Sequence, residues 1–127
     1  MVTRQLNAAL QLARDNKPHE ALRVLDHLLD SVSLVPREFA LVARNAAIIA
    51  EHVDDLQRAL GYYERAQKVC PLDATLSIAL AHTHTQLGNA RKATAFLHHA
   101  REINDNSKDE QREAISELIF ELSKKIN

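Results

Sequence analysis

Apolar residues recur at threes and fours along the chain, interrupted only by short polar or proline-bearing breaks, and this rhythm predicts helices throughout. Leu6, Ala9, Leu10 and Ala13 form one stripe behind a candidate N-cap at Thr3, in a helix that stops near Asp15-Asn16. Pro18 suits the first position of a second helix, where its missing N–H costs nothing; that helix buries Ala21, Leu22, Leu25, Leu28 and Leu29 and fades at Ser31-Val32-Ser33. Pro36 opens a third through Phe39, Ala40, Val42, Ala43, Ala46, Ala47 and Ala50 to about His52. Asp54 is expected to cap a fourth carrying Leu56, Ala59, Leu60, Tyr63, Ala66 and Val69, which Pro71 forbids from continuing. Asp73 caps a fifth and Asn89 a sixth, the two joined across Gly88-Asn89 as a helical hairpin. Ser107-Lys108-Asp109-Glu110 reads as a capping box for a seventh helix carrying Ala114, Ile115, Leu118, Ile119 and Leu122. Acids at its start (Asp109, Glu110, Glu113) and Lys124-Lys125 at its end agree with the helix dipole. The expectation is seven helices and no strand.

Composition supports an all-α chain. Only 2 Gly and 3 Pro occur in 127 residues, and 46% hydrophobic content with 4% aromatics calls for a core of Leu, Ile, Val and Ala. Small residues at Ala81, Ala93 and Ala100 mark places where a partner helix must approach closely.

Self-comparison adds a repeat. Ala47 and Ala81, Ala59 and Ala93, and Ala66 and Ala100 are each 34 residues apart; the same offset pairs Tyr63 with Leu97 and Val69 with Ile103. Ala21 to Ala59 is 38, so the first unit is four residues wider, with the extra turn around Ser33–Phe39. This 34-residue helix-turn-helix period resembles the tetratricopeptide repeat (TPR) family. Leu80-Ala81, Gly88, Ala93, Leu97 and Ala100 look like its small and large signature positions, as do Ala59, Tyr63, Ala66 and Pro71; the first unit keeps Ala21 and Leu25. The first-helix aromatics of the family are missing, with Ser77 and His84, or Ala43 and Ala50, in their places. The resemblance spans roughly residues 2–106. It implies one domain, a right-handed α-solenoid with units at about 2–35, 36–73 and 74–106 and a capping helix at about 107–126.

By that resemblance, partners dock in a concave groove lined by the first helix of each unit. In this register the groove receives Leu6, Leu10, Ala13 and Arg14, then Leu41, Arg44, Ile48, Glu51 and His52. Next come Thr75, Ile78, His82, Thr85 and Gln86, and last Arg112, Ser116, Ile119 and Phe120. Seven of these are large and apolar, which marks either an interaction patch for an amphipathic helix or extended segment, or a tightly packed inner wall. Arg44 and Asn45 match part of the clamp by which some TPR domains grip a C-terminal carboxylate. Leu6, Leu10, Thr75 and Ala79 stand where that clamp needs basic or amide groups, so binding of that kind is disfavoured.

Other chemistry finds no support. With 16 basic and 17 acidic residues, net charge -1 and no basic cluster, nucleic-acid binding is not expected. No apolar run is long enough to span a membrane, and Met1–Asn7 lacks the core of a signal peptide, so a cytoplasmic protein is expected. Cys70 is a lone cysteine, expected to act as a small apolar side chain. His82 and His84 point to different sides of one helix, His84 is expected to face the core, and His98-His99 to be solvated; no metal or other cofactor and no catalytic motif is expected. The function this implies is non-enzymatic: an adaptor or chaperone holding a peptide or helix of a partner protein, similar to the small TPR chaperones of bacterial secretion systems. The alternative is a scaffold that homo-oligomerises through apolar groove or end surfaces.

Overall fold

The computed structural model describes residues 2–31, 33–108 and 110–126. Among them are seven α-helices and no strand: α1 (Val2–Arg14), α2 (Pro18–Ser31), α3 (Pro36–His52), α4 (Leu56–Val69), α5 (Ala74–Gln86), α6 (Ala90–Asp105) and α7 (Arg112–Ile126). Val32 and Asp109, on which two of the expectations above fall, lie outside the described residues. The chain divides after Cys70 into two compact units, residues 1–70 and 71–127.

The first unit holds two hairpins, α1–α2 and α3–α4, with α2 packed against α3. Its core is aliphatic: Leu22 and Leu25, with Ala9, Ala21, Val42, Ala43, Ala46, Ala47, Ala50, Ala59 and Ala66, are wholly buried. This alanine seam lets the helices approach closely, and each buried Leu contributes about 1.5–3 kcal/mol. The second unit is the α5–α6 hairpin with α7 laid against both helices. Ala81, Leu97 and Ala100 close its core with Ile115, Ile119 and Leu122 from α7.

Every hairpin turn uses the same backbone device. Asn16 (φ 63°), Asp54 (φ 60°) and Gly88 (φ 81°) adopt the left-handed conformation just past the ends of α1, α3 and α5. In each, the residue itself donates to the carbonyl three back (to Ala13, Glu51 and Thr85 at 3.1, 3.0 and 3.1 Å), and the next residue donates to the carbonyl five back (to Leu12, Ala50 and His84 at 2.9, 2.9 and 2.8 Å). This is the Schellman arrangement, which satisfies helix-end carbonyls that would otherwise be orphaned. The three positions are 38 and 34 residues apart, the intervals of the alanine pattern.

Several local expectations need correction. Thr3 lies inside α1, which begins at Val2. The cap of α4 is Asp55, whose carboxylate accepts from Arg58 N at 3.2 Å; Asp54 occupies the left-handed turn position instead. Asn89 stands at the start of α6 without a capping side-chain bond. Instead, its amide lies 3.3 Å from Nδ1 of His84. The Ser107–Glu110 box does not start α7, whose first helical residue is Arg112. Ala114 and Leu118 point outward on α7, Leu118 being 53% exposed, because the buried side follows Ile115, Ile119 and Leu122. Pro18, Pro36, the Asp73 cap and the stop before Pro71 stand where expected.

Candidate partner-binding surfaces

In the first unit, α3 carries the clearest candidate surface. Its inward side is a run of buried Ala, Val and Ile, yet Leu41 is 50% and Ile48 39% exposed. Seven residues apart, they lie on one side of the helix about 10 Å from each other. Arg44 and Glu51 continue the stripe half-buried, and His52 ends it exposed. Glu51 is held from behind: it hydrogen-bonds the Tyr63 hydroxyl of α4, with the Arg44 charge nearby. Burial and then the Glu51 carboxylate push the Tyr63 pKa up, against the opposing pull of Arg44. The stripe is therefore two exposed aliphatic side chains with a charged pair buttressed between and beside them. Asn45 turns its amide onto its own helix, donating to Leu41 O at 2.8 Å, so it is not presented as a clamp residue. On α1, Leu6 is buried and belongs to the core, not to a free surface; Leu10 and Ala13 are half-buried and Arg14 is exposed.

Behind this face, α2 and α4 are fastened by a polar cluster that periodicity does not reveal. Arg58 Nη2 donates to Asp26 Oδ2 at 2.7 Å, Arg58 Nε donates to the Tyr62 hydroxyl at 3.2 Å, and that hydroxyl donates to Asp26. Burial, then the hydrogen bond to Asp26, pushes Tyr62 up to about 12. Arg65, two turns along α4, makes a similar contact, bonding Asp30 at 3.2 Å with its guanidinium 5.4 Å from the centre of the Phe39 ring. Adjacent tyrosines on a helix point about 100° apart; Tyr63 supports the α3 stripe while Tyr62 reaches the first hairpin.

In the second unit the candidate residues of α5 divide. Ile78 is packed against the core cluster. Thr75 and Thr85 donate their hydroxyls locally, to Asp73 Oδ1 at 2.6 Å and Ala81 O at 2.8 Å. His82 and Gln86 remain exposed. His84 is 4% exposed and stacks on Phe96 of α6, ring centres 5.5 Å apart, as a core histidine. His98 is exposed, whereas His99 is half-buried with Nε2 3.2 Å from Pro71 O. Cys70 is half-buried, its thiol 3.7 Å from Pro36 O.

The assignments on α7 need the largest revision. Ile119 is 3% exposed and part of the core. The buried Asn104 of α6 donates to Arg112 O and to Ser116 Oγ, both at 2.9 Å, which places the Ser116 flank of α7 beside α6. Arg112, Ser116 and Phe120 succeed one another at four-residue intervals, so Phe120 shares that flank and does not face α5. Among the described residues no group of three or more His, Cys, Asp or Glu side chains is placed to hold a metal ion. No helix there is long and apolar enough to cross a membrane.

No family model matches the chain, and no curated protein matches it in sequence. Solved structures do match in three dimensions. PcrH from Pseudomonas aeruginosa aligns over 98% of this chain and 90% of its own, with a TM-score of 0.78 at 15% identity. PcrH in complex with the chaperone binding region of PopB aligns over 98% and 93%, with a TM-score of 0.73 at 15% identity. The Yersinia enterocolitica type III secretion chaperone SycD, in complex with a peptide of the translocator YopD, aligns over 98% and 94%, with a TM-score of 0.70 at 18% identity. At these identities the likeness speaks for architecture: the chain has the all-α, TPR-like fold of helical hairpins that these chaperones share.

Proposed function

We propose that this protein is a non-enzymatic chaperone or adaptor that holds an apolar segment of a partner protein, and that Leu41 and Ile48 on α3 are the centre of its binding surface. The observation that carries this is their exposure on a helix whose other branched aliphatic side chains, Val42 and Ile49, are buried. Two aliphatic groups about 10 Å apart match the spacing of apolar anchors seven residues apart on a docked helix. Arg44, Glu51 and His52 supply polar edges, and Leu10 and Arg14 on α1 are the further contacts in this reading. PcrH was solved with the chaperone binding region of PopB and SycD with a peptide of the translocator YopD, which supports a peptide segment of a secretion-system protein as the client in this reading.

The experiment is a pull-down from source cells, followed by truncation of the captured protein to its shortest binding segment. That segment is expected to be apolar and to bind the native chain but not Leu41→Asp/Ile48→Asp, with helical circular dichroism unchanged. A charged segment, or one that binds both chains equally, refutes the assignment.

A further inference from the structure

Leu41, Arg44, Ile48 and Glu51 stand at 0, +3, +7 and +10 along α3, the spacing by which one helix presents a seam to another. The aliphatic members of this seam are exposed and the charged members half-buried. The two charges are not equivalent. Glu51 lies beyond Ile48, outside the span of the two anchors, and its carboxylate already accepts from the Tyr63 hydroxyl. Arg44 lies within that span, about 4.5 Å along the axis from Leu41 and about 6 Å from Ile48. A helix seated on both anchors, its axis roughly 8–10 Å from that of α3, therefore covers Arg44 as well.

That cover has an electrostatic consequence. The part of the Arg44 side chain that faces solvent loses its water under a docked helix, whatever the rest of it contacts within the chain. An aliphatic neighbour gives nothing in exchange for that water, whereas a carboxylate across the seam makes a charge-assisted, two-pronged contact with the guanidinium. An unbroken apolar partner face is thus disfavoured at this one position. We infer that the client segment is an amphipathic helix with a carboxylate between two apolar anchors seven residues apart, three or four residues after the first anchor. Three corresponds to a segment running parallel to α3 and four to one running antiparallel. The segment remains apolar elsewhere on this face, because Glu51 sits past the anchors with a partner of its own. The inference rests on α3 being the client site, and it states which apolar segments that site selects.

The test titrates the full chain, by fluorescence anisotropy at low salt, with synthetic Ala- and Gln-based helical peptides of about 18 residues. Each carries two leucines seven apart, and two sets place Glu, Gln or Lys at the third or the fourth position after the first leucine. All three residues are good helix formers, so peptide helicity stays level. In one set the Glu peptide is expected to bind about 10-fold more tightly than the Gln peptide, and the Lys peptide about 10-fold more weakly. Arg44→Gln is expected to erase that ranking and to leave the Gln peptide's affinity within about 3-fold, with helical circular dichroism unchanged. Arg44→Glu reverses the ranking, so that the Lys peptide binds most tightly. Equal affinities of the three peptides for the native chain, or a ranking that persists in Arg44→Gln, overturn the inference. The α3 site itself stands in that case if Leu41→Asp/Ile48→Asp still abolishes binding. Peptides that bind this double variant as well as the native chain, or no binding below roughly 1 mM, overturn both.

Discussion

Replacing Tyr62 with Phe removes a single oxygen from the cluster that fastens α2 to α4. That hydroxyl donates to Asp26 and accepts from Arg58 Nε at 3.2 Å. Hydrogen bonds to charged groups contribute about 1.5–3 kcal/mol each when shielded. Asp26 and Arg58 keep 36% and 37% of their side-chain surface in water, which compensates part of the loss. The Arg58–Asp26 pair at 2.7 Å also survives the substitution. The expected destabilisation is therefore about 1–2 kcal/mol, read as an earlier midpoint in urea unfolding followed by circular dichroism at pH 7. Alkaline pH supplies a second, independent readout. The folded Tyr62 pKa is raised to about 12 from an ordinary 10.0, so above pH 10 the unfolded chain releases that proton first. Stability present below pH 10 is thus lost as pH climbs toward 12. The gap between native chain and Tyr62→Phe must narrow over that window, while Tyr63, also raised, leaves both chains some alkaline loss. Equal midpoints at pH 7, or a gap that stays constant or widens with pH, refute the reasoning.

Other expectations can be read in the same assay. Gly88→Ala forces a side chain into φ 81°, and although the space around it is open, it is expected to cost about 1 kcal/mol; Asn16→Gly, at φ 63°, is expected to gain a few tenths to about 1 kcal/mol. Asn104→Ala removes both side-chain donations that tie α6 to α7 and is expected to cost about 1–3 kcal/mol, with hydrogen exchange in α7 accelerating ahead of α5 and α6. Ile78→Asp places a charge against the core cluster and is expected to destabilise by more than 3 kcal/mol, whereas Ile48→Asp, on an exposed position, stays within about 1 kcal/mol.

What could be read from the chain follows from how local each determinant is. Pro18, Pro36 and Asp73 act within their own helical turn, so their elements begin where the sequence places them. Asp54 and Asp55 are chemically identical, and only the left-handed backbone at Asp54 decides that its neighbour is the cap. The 34-residue alanine spacing was legible because close helix approach tolerates little else, and it brought the TPR-like fold with it. The candidate surface was less legible, since the repeat register names the helix but not its rotation. Leu41 and Ile48 emerged exposed, but Leu6 and Ile119 turned into the core, and the Asn104 bond to Ser116 fixed α7 so that Phe120 left the α5 side. Tyr62 escaped notice because its partner Asp26 lies 36 residues away, beyond any helical period.

The central claim is that α3 receives the partner, and amide chemical shifts of the isotope-labelled chain, titrated with its shortest client segment, test it directly. The account predicts shifts concentrated between Leu41 and His52, extending to Leu10 and Arg14 on α1, and absent from the Asp26–Arg58–Tyr62 cluster. Shifts centred on α2 and α4, with Leu41 and Ile48 unmoved, contradict it.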